Sequence, residues 1–372
     1  MKKFLYLILF SLLTFNFSLF TVTGCAKKDD VIKLGVAGPM TGDQAKMGTD
    51  FRNGVDLAVA EWNEKGGVLG KKIAMVVSDD QHDPKQAVSV ANKMVNEGTV
   101  GVIGHFNSSC SIPASEVYNR AGIPMITPAS TNPQLTERGF DNIFRVCGRD
   151  DQQGAVAADF VTNRLRLKKI AILHDKTTYG QGLANEFKKA LGNKVEVVHY
   201  GGIIQGDKDF KAVLTVVKEK KPELIFFGGI YPEAALLVKQ AKELGIKTPF
   251  MSGDGVIDPK FIEIAGPSAE GTYLTFSPDP VKIPTAKVFL DSYHKKYGDH
   301  GPYSIYAYDA ANIMLTAIKD VKSTEGKKIT EKLHTLEFNG ALGTIKFDKK
   351  GDVTVAPYVI WITKGGKFEE YR

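Results

Sequence analysis

The sequence has few of the residues that bind metals or act as nucleophiles. It contains three cysteines and seven histidines in 372 residues. No cysteine belongs to a CxxC pair, and the histidines form neither an HExxH nor an HxH pattern, so the spacing typical of a zinc site is missing. A GxSxG nucleophile motif is missing as well. These absences argue against a zinc enzyme or an α/β-hydrolase, and no cofactor or metal is expected.

Two short segments look like catalytic motifs but depart from them. Residues 66–72 resemble a phosphate-binding loop, yet the spacing is one residue short and neither Ser nor Thr follows the lysines. Ser292 and Lys295 have the spacing of a serine–lysine nucleophile pair without its companion motifs. We interpret the first segment as a turn and the second as a coincidence.

Charge of one sign is not concentrated anywhere. The chain has 48 Lys and Arg against 42 Asp and Glu, a formal net charge of +6. The lysines are scattered, and no basic stripe is interleaved with aromatic residues. Nucleic acid is therefore not expected as a partner.

The N-terminus has the features of an export signal. Lys2 and Lys3 precede residues 4–20, which contain no charged side chain, and Val22, Thr23, Gly24 and Cys25 follow. This ending resembles the bacterial lipobox, which implies that residues 1–24 are a lipoprotein signal peptide and that Cys25 carries lipid. Residues 25–30 would then be a short tether. An uncleaved N-terminal anchor is the alternative, with a similar consequence for location.

No second apolar stretch of membrane-spanning length follows, so the body from residue 31 is expected to be exported and water-soluble. It would be lipid-anchored at the cell membrane, in the periplasm or on the outer face of the cytoplasmic membrane. Its length of about 340 residues exceeds what one core usually supports, which predicts two lobes. Cys110 and Cys147 are expected to be buried free thiols, with a disulfide between them as the alternative.

Apolar runs of strand length alternate with amphipathic segments along most of the chain. In the first half, strands are predicted at residues 32–36, 73–77, 100–104 and 124–128, and helices at 50–64 and 84–96. This alternation is typical of an α/β fold with parallel sheets covered by helices. Asp83, Pro84 and Gln86 have the positions of an N-cap, a first-turn proline and a capping-box partner.

A second series repeats this pattern and then gives way to a less regular segment. Helices are predicted at residues 152–166, 182–191, 210–220 and 232–244, and strands at 170–174, 195–200 and 224–227. Three further helices are predicted at 285–297, 303–321 and 329–336. The chain then ends in hairpin-like strands at 343–347 and 358–363, with turns at 349–352 and 364–366. Two similar lobes are thus indicated.

Hydroxyl side chains follow two neighbouring strands of the first series. Ser108 and Ser109 come shortly after the strand at 100–104, and Ser130 and Thr131 follow the strand at 124–128. The carboxyl ends of parallel strands meet at one edge of a sheet, where hydroxyls and free N–H groups converge on a small anion. A carboxylate is the expected guest. The alternative is that these side chains only cap helices.

Several segments, taken together, resemble one family. They are 83–93, 102–105, Ser108 with Ser109, 113–115, 125–129, 174–176 with Tyr179 and Gly180, and 269–271. These residues closely resemble the periplasmic leucine/isoleucine/valine-binding proteins, over about residues 31–367. The resemblance implies a type I solute-binding protein. Two Rossmann-like lobes joined by three crossover strands would close on one amino acid, as a Venus flytrap does, and hand it to the permease subunits of an ABC importer.

The resemblance also implies how the chain is divided and which residues hold the ligand's charged ends. One lobe would comprise residues 31–149 and 277–356, the other residues 150–276 and 357–372, in a monomer. Ser108 and Thr131 match the residues that hold the α-carboxylate in the family. The ammonium would be held by the Ala129 carbonyl, the Thr131 hydroxyl and an acid at Asp254. Donors suit an anion and an acid suits a cation, so a zwitterion would draw the lobes together.

The predicted side-chain pocket differs from that of the family's best-known members. It consists of Met47, Phe106, Asn107, Ser130, Tyr179, Ile230 and Tyr303. Met47 and Ile230 replace tyrosines, Phe106 replaces a leucine, Tyr303 replaces a phenylalanine, and Asp254 is a shortened glutamate. Some relatives have a disulfide between the positions of His82 and Asn107, which is missing here. A branched-chain or other apolar amino acid is the expected ligand.

Other classes of function fit less well. A regulator related to the lactose repressor would need a helix-turn-helix where this chain has a lipoprotein signal. A receptor ectodomain would continue into a membrane helix. An exported enzyme, a free-standing sensor for a signalling partner, and a binder of a different small carboxylate remain as alternatives to transport.

Overall fold

The computed structural model describes residues 31–372, which form one compact unit. The predicted signal peptide, the predicted tether and Cys25 lie outside the described residues. Among those described, no helix combines the length and the apolar character that crossing a membrane requires. Cys110 and Cys147 are buried and unpaired, as predicted.

The first sheet has five parallel strands in the order β2-β1-β3-β4-β5. Its strands are β1 (Ile32–Gly38), β2 (Ile73–Asp79), β3 (Gly101–Gly104), β4 (Met125–Thr127) and β5 (Ile143–Arg145). The helices between them are α1 (Ala45–Glu64), α2 (Pro84–Asn96), α3 (Ser108–Ala121) and α4 (Gln134–Glu137). Strand β3 is buried along its whole length because helices cover both faces of a parallel sheet.

Helix α2 begins as the sequence predicts. The Asp83 side chain accepts a hydrogen bond from the Gln86 N–H at 2.7 Å, and Pro84 takes the first position. The cap satisfies one of the free N–H groups of the first turn, and the proline removes another. The helix therefore starts at Pro84 and lies where its apolar face can cover the first sheet.

The second sheet has seven strands in the order β14-β13-β10-β9-β8-β6-β7. Its parallel strands are β6 (Lys169–His174), β7 (Glu196–Gly202), β8 (Leu224–Gly228), β9 (Phe250–Ser252) and β10 (Tyr273–Phe276). Its helices are α5 (Asp150–Asp159), α6 (Thr178–Leu191), α7 (Lys211–Glu219), α8 (Tyr231–Glu243) and α9 (Pro259–Ala265). The α-helical geometry of α5 ends at Asp159 and a wider turn continues to Arg164, earlier than the predicted end at residue 166.

Three helices after the second sheet pack back onto the first. They are α10 (Lys287–Tyr297), α11 (Ser304–Val321) and α12 (Gly326–Thr335). Helix α11 crosses α1 so closely that a Cβ at Gly54 would lie 2.2 Å from the Ser304 carbonyl oxygen, and Trp62 donates to Asn312 at 2.8 Å. We call the five-stranded sheet and the helices packed on it the first lobe. The second lobe is the seven-stranded sheet with its helices.

The first of the two predicted C-terminal hairpins is partly formed. The turn at 349–352 is present, since Phe347 forms an antiparallel bridge with Val353 and the Asp348 N–H donates to the Asp352 carbonyl at 2.8 Å. The strand is shorter than predicted: β12 (Gly343–Ile345) ends at Ile345 and pairs with β11 (Phe338–Gly340) across a tighter turn. The last hairpin is confirmed. It joins β13 (Val359–Lys364) to β14 (Lys367–Glu370) around two glycines, and β13 adds antiparallel to β10.

Candidate functional site

A cavity lies between the two lobes, at the carboxyl ends of the strands. Most of the predicted site residues line it, together with one residue that the sequence did not indicate, Gly255. The lining residues are Met47, Phe106, Asn107, Ser108, Ala129, Tyr179, Ile230, Asp254, Gly255 and Tyr303. The volume is about 20 Å³, room for about one water molecule. The lobes are thus closed around a space smaller than an amino acid, and a larger guest requires side chains or lobes to move.

Asp254 is the centre of the hydrogen bonding in this cavity. Its Oδ1 accepts from Gln153 Nε2 at 2.9 Å and from the Tyr179 hydroxyl at 2.8 Å, and its Oδ2 accepts from the Tyr303 hydroxyl. Burial raises the pKa of the Asp254 carboxyl, and these three hydrogen bonds act in the opposite direction. Burial beside this acid also raises the pKa of both phenols well above its usual value. The phenols therefore stay protonated and act as donors.

A second buried acid, Asp150, lies close to Asp254. It begins helix α5 and is fully buried, and neither of its carboxylate oxygens has a hydrogen-bond partner among the described residues. Burial and the nearby Asp254 raise the pKa of Asp150 well above its usual value. None of the described residues that line the cavity is Lys, Arg or His. An ammonium group in the cavity would therefore lie beside Asp254, an acid that no cationic lining residue neutralises.

The opposite end of the cavity is suited to an anion. Helix α3 begins at Ser108, and the preceding Asn107 does not cap it with its side chain. The first N–H groups of a helix have no partner within the helix and carry the positive end of its dipole. Ser108 Oγ also accepts from the Asn132 N–H at 3.2 Å, so its own proton is free to point elsewhere. A carboxylate placed here would gain donors.

Ser130 and Thr131 do not line the cavity. The Ser130 hydroxyl bonds to Ser111 Oγ at 2.6 Å and to the Phe106 carbonyl at 2.9 Å, inside the first lobe. The Thr131 hydroxyl is buried, has no partner at hydrogen-bonding distance among the described residues, and lies near Asp150, whose pKa it lowers against the effect of burial. Thr131 thus has no hydrogen bond to give up before its hydroxyl binds a ligand, whereas Ser130 would first have to break the bonds that fix its loop.

Gln44 links the two positions at which some relatives have a disulfide. Its Nε2 contacts His82 Nδ1, and its Oε1 accepts from Asn107 Nδ2 at 2.9 Å. Burial lowers the pKa of His82, which favours the neutral ring that can accept from an amide. Polar contacts thus hold this wall of the cavity in place of a covalent bridge.

Direct contacts join the lobes around the mouth of the cleft. The Tyr231 hydroxyl donates to the Asp43 carbonyl, and Gln205 Nε2 lies 2.9 Å from His82 Nδ1. A third such bond runs from Asn132 Nδ2 to the Thr178 carbonyl at 2.7 Å. These bonds exist only while the lobes are together, so they stabilise the closed form.

Sequence reasoning did not identify Asp150, Gln153 or Gly255. Asp150 and Gln153 follow the end of β5, the position relative to a strand that singled out Ser108 and Thr131. The same signal could have found Asp150. Gln153 lies one turn later in α5 and reaches Asp254 only because the second sheet places them together, so no local pattern indicates it.

The sequence matches one family model and several individual relatives. A family model described as periplasmic binding protein matches residues 31–367. An amino acid binding protein of Pseudomonas aeruginosa is 43% identical over 90% of this chain and 91% of its own length. A Leu/Ile/Val-binding protein homolog of Brucella abortus is 42% identical over 92% of both chains.

Solved structures agree with these sequence matches. A leucine binding protein from Thermotoga maritima has a TM-score of 0.86 at 33% identity, covering 92% of this chain and 98% of its own. A branched-chain amino acid transporter substrate-binding protein from Streptococcus pneumoniae, in complex with isoleucine, has a TM-score of 0.84 at 30% identity, covering 91% and 98%. The similarity spans both lobes and the cleft between them.

Proposed function

Because this chain belongs to the periplasmic binding protein family, we propose that it captures an amino acid with an apolar side chain between its two lobes and delivers it to an ABC importer. The main support is the charge pattern of the cavity. At one side lies the buried carboxylate of Asp254, and at the other lie Ser108 and the N-terminus of α3. A zwitterion places its ammonium near Asp254 and its carboxylate at the helix.

The space between these ends favours an uncharged side chain. Met47, Phe106 and Ile230 provide apolar surface there. A charged side chain in this position would lose its hydration without an opposite charge to compensate. Two relatives point the same way: the Leu/Ile/Val-binding protein homolog of Brucella abortus, and a leucine-, isoleucine-, valine-, threonine- and alanine-binding protein of Pseudomonas aeruginosa. The ligand should therefore be a branched aliphatic or similarly sized apolar amino acid.

Binding would act through lobe closure. Met47, Ser108 and Tyr303 contact the ligand from the first lobe, and Tyr179, Ile230 and Asp254 contact it from the second. Only the closed form satisfies both sets, so the ligand shifts an equilibrium between open and closed forms by its preference for the closed one. The hinges lie between residues 149 and 150, 276 and 277, and 356 and 357, where the chain passes from one lobe to the other.

Outside the cytoplasm, a lipid on Cys25 would hold the protein at the membrane next to its permease. The support is the Val-Thr-Gly-Cys sequence at residues 22–25 behind an uncharged apolar run. Cys25→Ser should release the protein from membranes or block its processing. An unacylated wild-type protein that begins well beyond residue 25 in its own host would contradict this.

The protein works as a monomer without catalysis, since delivery requires only binding and release.

A matched set of ligands tests the amino-acid site. Leucine, 4-methylpentanoate (no amino group) and isoamylamine (no carboxylate) are compared by isothermal titration with Glu and Lys. Leucine should bind best, because a ligand lacking either charged end loses hydrogen bonds to charged groups, about 1.5 to 3 kcal/mol each. Asp254→Asn should weaken leucine far more than 4-methylpentanoate. Preference for Glu or Lys, or equal losses for both ligands in Asp254→Asn, would overturn the assignment.

Small-angle scattering separates the mechanism from the specificity. Leucine should make the protein more compact, and Glu and Lys should not. Tight leucine binding without compaction would reject the closure mechanism and leave the specificity intact. If 4-methylpentanoate binds better than leucine, the alternative of a small-carboxylate binder is correct.

A further inference from the structure

A second and larger cavity lies behind the first, where the lobes join. We call it the hinge cavity. It is lined by all three segments that connect the two sheets, around Cys147, Ser277 and Ala356, with Leu342, Ile345 and Val353 completing an apolar wall. Its volume is about 320 Å³, within the range of small-molecule sites. Asp254 and Tyr303 line both cavities, so they form the partition between them.

Aromatic rings surround one end of the hinge cavity. Phe276 lies 5.5 Å from Tyr303 between ring centroids, edge to face, and Tyr303 lies 5.9 Å from Tyr306. Tyr358 completes the set and packs on Gly148, where a Cβ would lie 2.5 Å from the tyrosine ring. Rings arranged around a space attract a cation through their negative faces, especially where the cation is a poorly hydrated ammonium.

The charges around this cavity are unbalanced in favour of a cation. Asp254 lines it, and none of the described residues in its lining is Lys, Arg or His. The two arginines that flank the lining residues 146–148 in sequence are already paired. Arg145 and Arg149 both bond to Asp352, each at 2.6 Å, and Arg149 also bonds to Glu137 and Asp151. An anion would therefore face Asp254 without a positive partner, whereas a cation would be attracted.

We propose that the hinge cavity binds a hydrophobic organic cation, a quaternary or tertiary ammonium attached to an aromatic or branched-alkyl body. The ammonium lies among Tyr303, Tyr306 and Tyr358 beside Asp254, and the body lies against the wall of Leu342, Ile345 and Val353. Because the amino acid's ammonium uses the same carboxylate from the other side, the two ligands oppose each other. Each weakens the other's binding by the same factor.

Phenyltrimethylammonium and its uncharged isostere tert-butylbenzene test the charge requirement. Titration of the whole protein should show binding of the cation and at least about tenfold weaker binding of the isostere. Saturating leucine should weaken the cation severalfold. Equal affinity for the two probes, or no binding of the cation, would overturn the proposal.

Two variants test the location independently of the amino-acid site. Tyr306→Leu removes a ring, and Ala356→Phe fills the cavity. Neither residue lines the amino-acid cavity. Each should reduce the affinity for phenyltrimethylammonium at least about tenfold and keep the thermal stabilisation by leucine. Ser108→Ala should reduce the thermal stabilisation by leucine and keep the affinity for phenyltrimethylammonium. Unchanged cation affinity in Tyr306→Leu would place the cation elsewhere, whatever the outcome for leucine.

A crystal soaked with 4-bromophenyl-trimethylammonium gives a direct readout, because bromine scatters anomalously. A bromine peak next to Val353 or Ile345 supports the hinge cavity. A peak between Met47 and Ile230 would show that the cation enters the amino-acid cavity, and the proposal would then be wrong even though the proposed function could stand.

Discussion

The hydroxyl of Tyr303 donates a hydrogen bond to Oδ2 of Asp254, across the boundary between the two lobes. Tyr303 lies at the start of α11 on the first lobe, and Asp254 follows β9 in the second. The bond does two things. It holds the lobes together, and it occupies one oxygen of the acid that a ligand's ammonium would need.

Tyr303→Phe should therefore strengthen amino-acid binding. The bond from the Tyr303 hydroxyl to Oδ2 of Asp254 forms in the closed form without ligand and breaks when an ammonium takes that oxygen, whereas the Tyr231 bond persists with ligand bound. A hydrogen bond to a charged group contributes about 1.5 to 3 kcal/mol, so the Kd for leucine should fall about tenfold or more. The pKa of Asp254 should rise further, because one of the hydrogen bonds that lower it is lost. Titration calorimetry from pH 5 to 8 measures both effects. Weaker binding in Tyr303→Phe would show that the hydroxyl contacts the ligand instead.

Ser108→Ala and Thr131→Ala should each weaken leucine binding by about 1.5 to 3 kcal/mol, because each removes a donor to the ligand's carboxylate. Ser109→Ala is the matched control, since Ser109 is the next residue of α3 and does not line the cavity. Fluorescence or calorimetric titration gives the Kd values. The carboxylate site is in a different place if the control loses as much affinity as Ser108→Ala.

Tyr231→Phe should weaken leucine binding modestly by favouring the open form. The hydroxyl of Tyr231 bonds to the Asp43 carbonyl only when the lobes are closed. A hydrogen bond between neutral groups contributes about 0.5 to 1.5 kcal/mol. Tyr200→Phe is the control, because the Tyr200 hydroxyl bonds to Asn185 within one lobe. Scattering without ligand should show a larger radius of gyration for Tyr231→Phe alone, and equal radii for the two variants would contradict the closure role.

The contribution of two buried carboxyl groups to the stability of the protein should fall as pH rises from about 4 to 7. Burial raises the pKa of Asp309 to about 7 and that of Asp175 to about 6, against an unfolded value of 3.8. At these two groups the folded state therefore binds more protons than the unfolded state in this interval, and their contribution to the free energy of unfolding decreases with pH. The stabilising contribution of the two carboxyl groups is fully present at pH values below their pKa in the unfolded state, and it is lost at pH values above their pKa in the folded state.

Urea denaturation at pH 4.5, 6 and 7.5 measures this dependence. Asp309→Asn should flatten it, because the amide does not titrate, while lowering stability overall since Asp309 accepts from two backbone N–H groups, of Ala341 and Leu342. The same slope in the variant and the wild type would show that Asp309 does not titrate in this range.

Local patterns in the sequence predicted the alternation of strands and helices and part of the site, but the short strands β5, β9 and β10 and the helices α3 and α9 were not among the predicted elements. The alternation of apolar and amphipathic runs predicts the parallel sheets because side-chain periodicity depends on neighbours in the chain. Asp83 and Pro84 predict the start of α2 for the same reason. Ser108 was found because the end of a strand and the start of a helix can both be recognised locally.

Only the tertiary structure decided which side chains share a cavity. Ser130 and Thr131 occupy adjacent positions, yet the Ser130 hydroxyl bonds inside the first lobe while Thr131 lies beside Asp150. The bond between Tyr303 and Asp254, residues remote in sequence, depends on how α11 returns to the first lobe. The hinge cavity likewise exists because three distant segments cross side by side. Such relationships depend on the packing of remote parts of the chain, and no local periodicity encodes them.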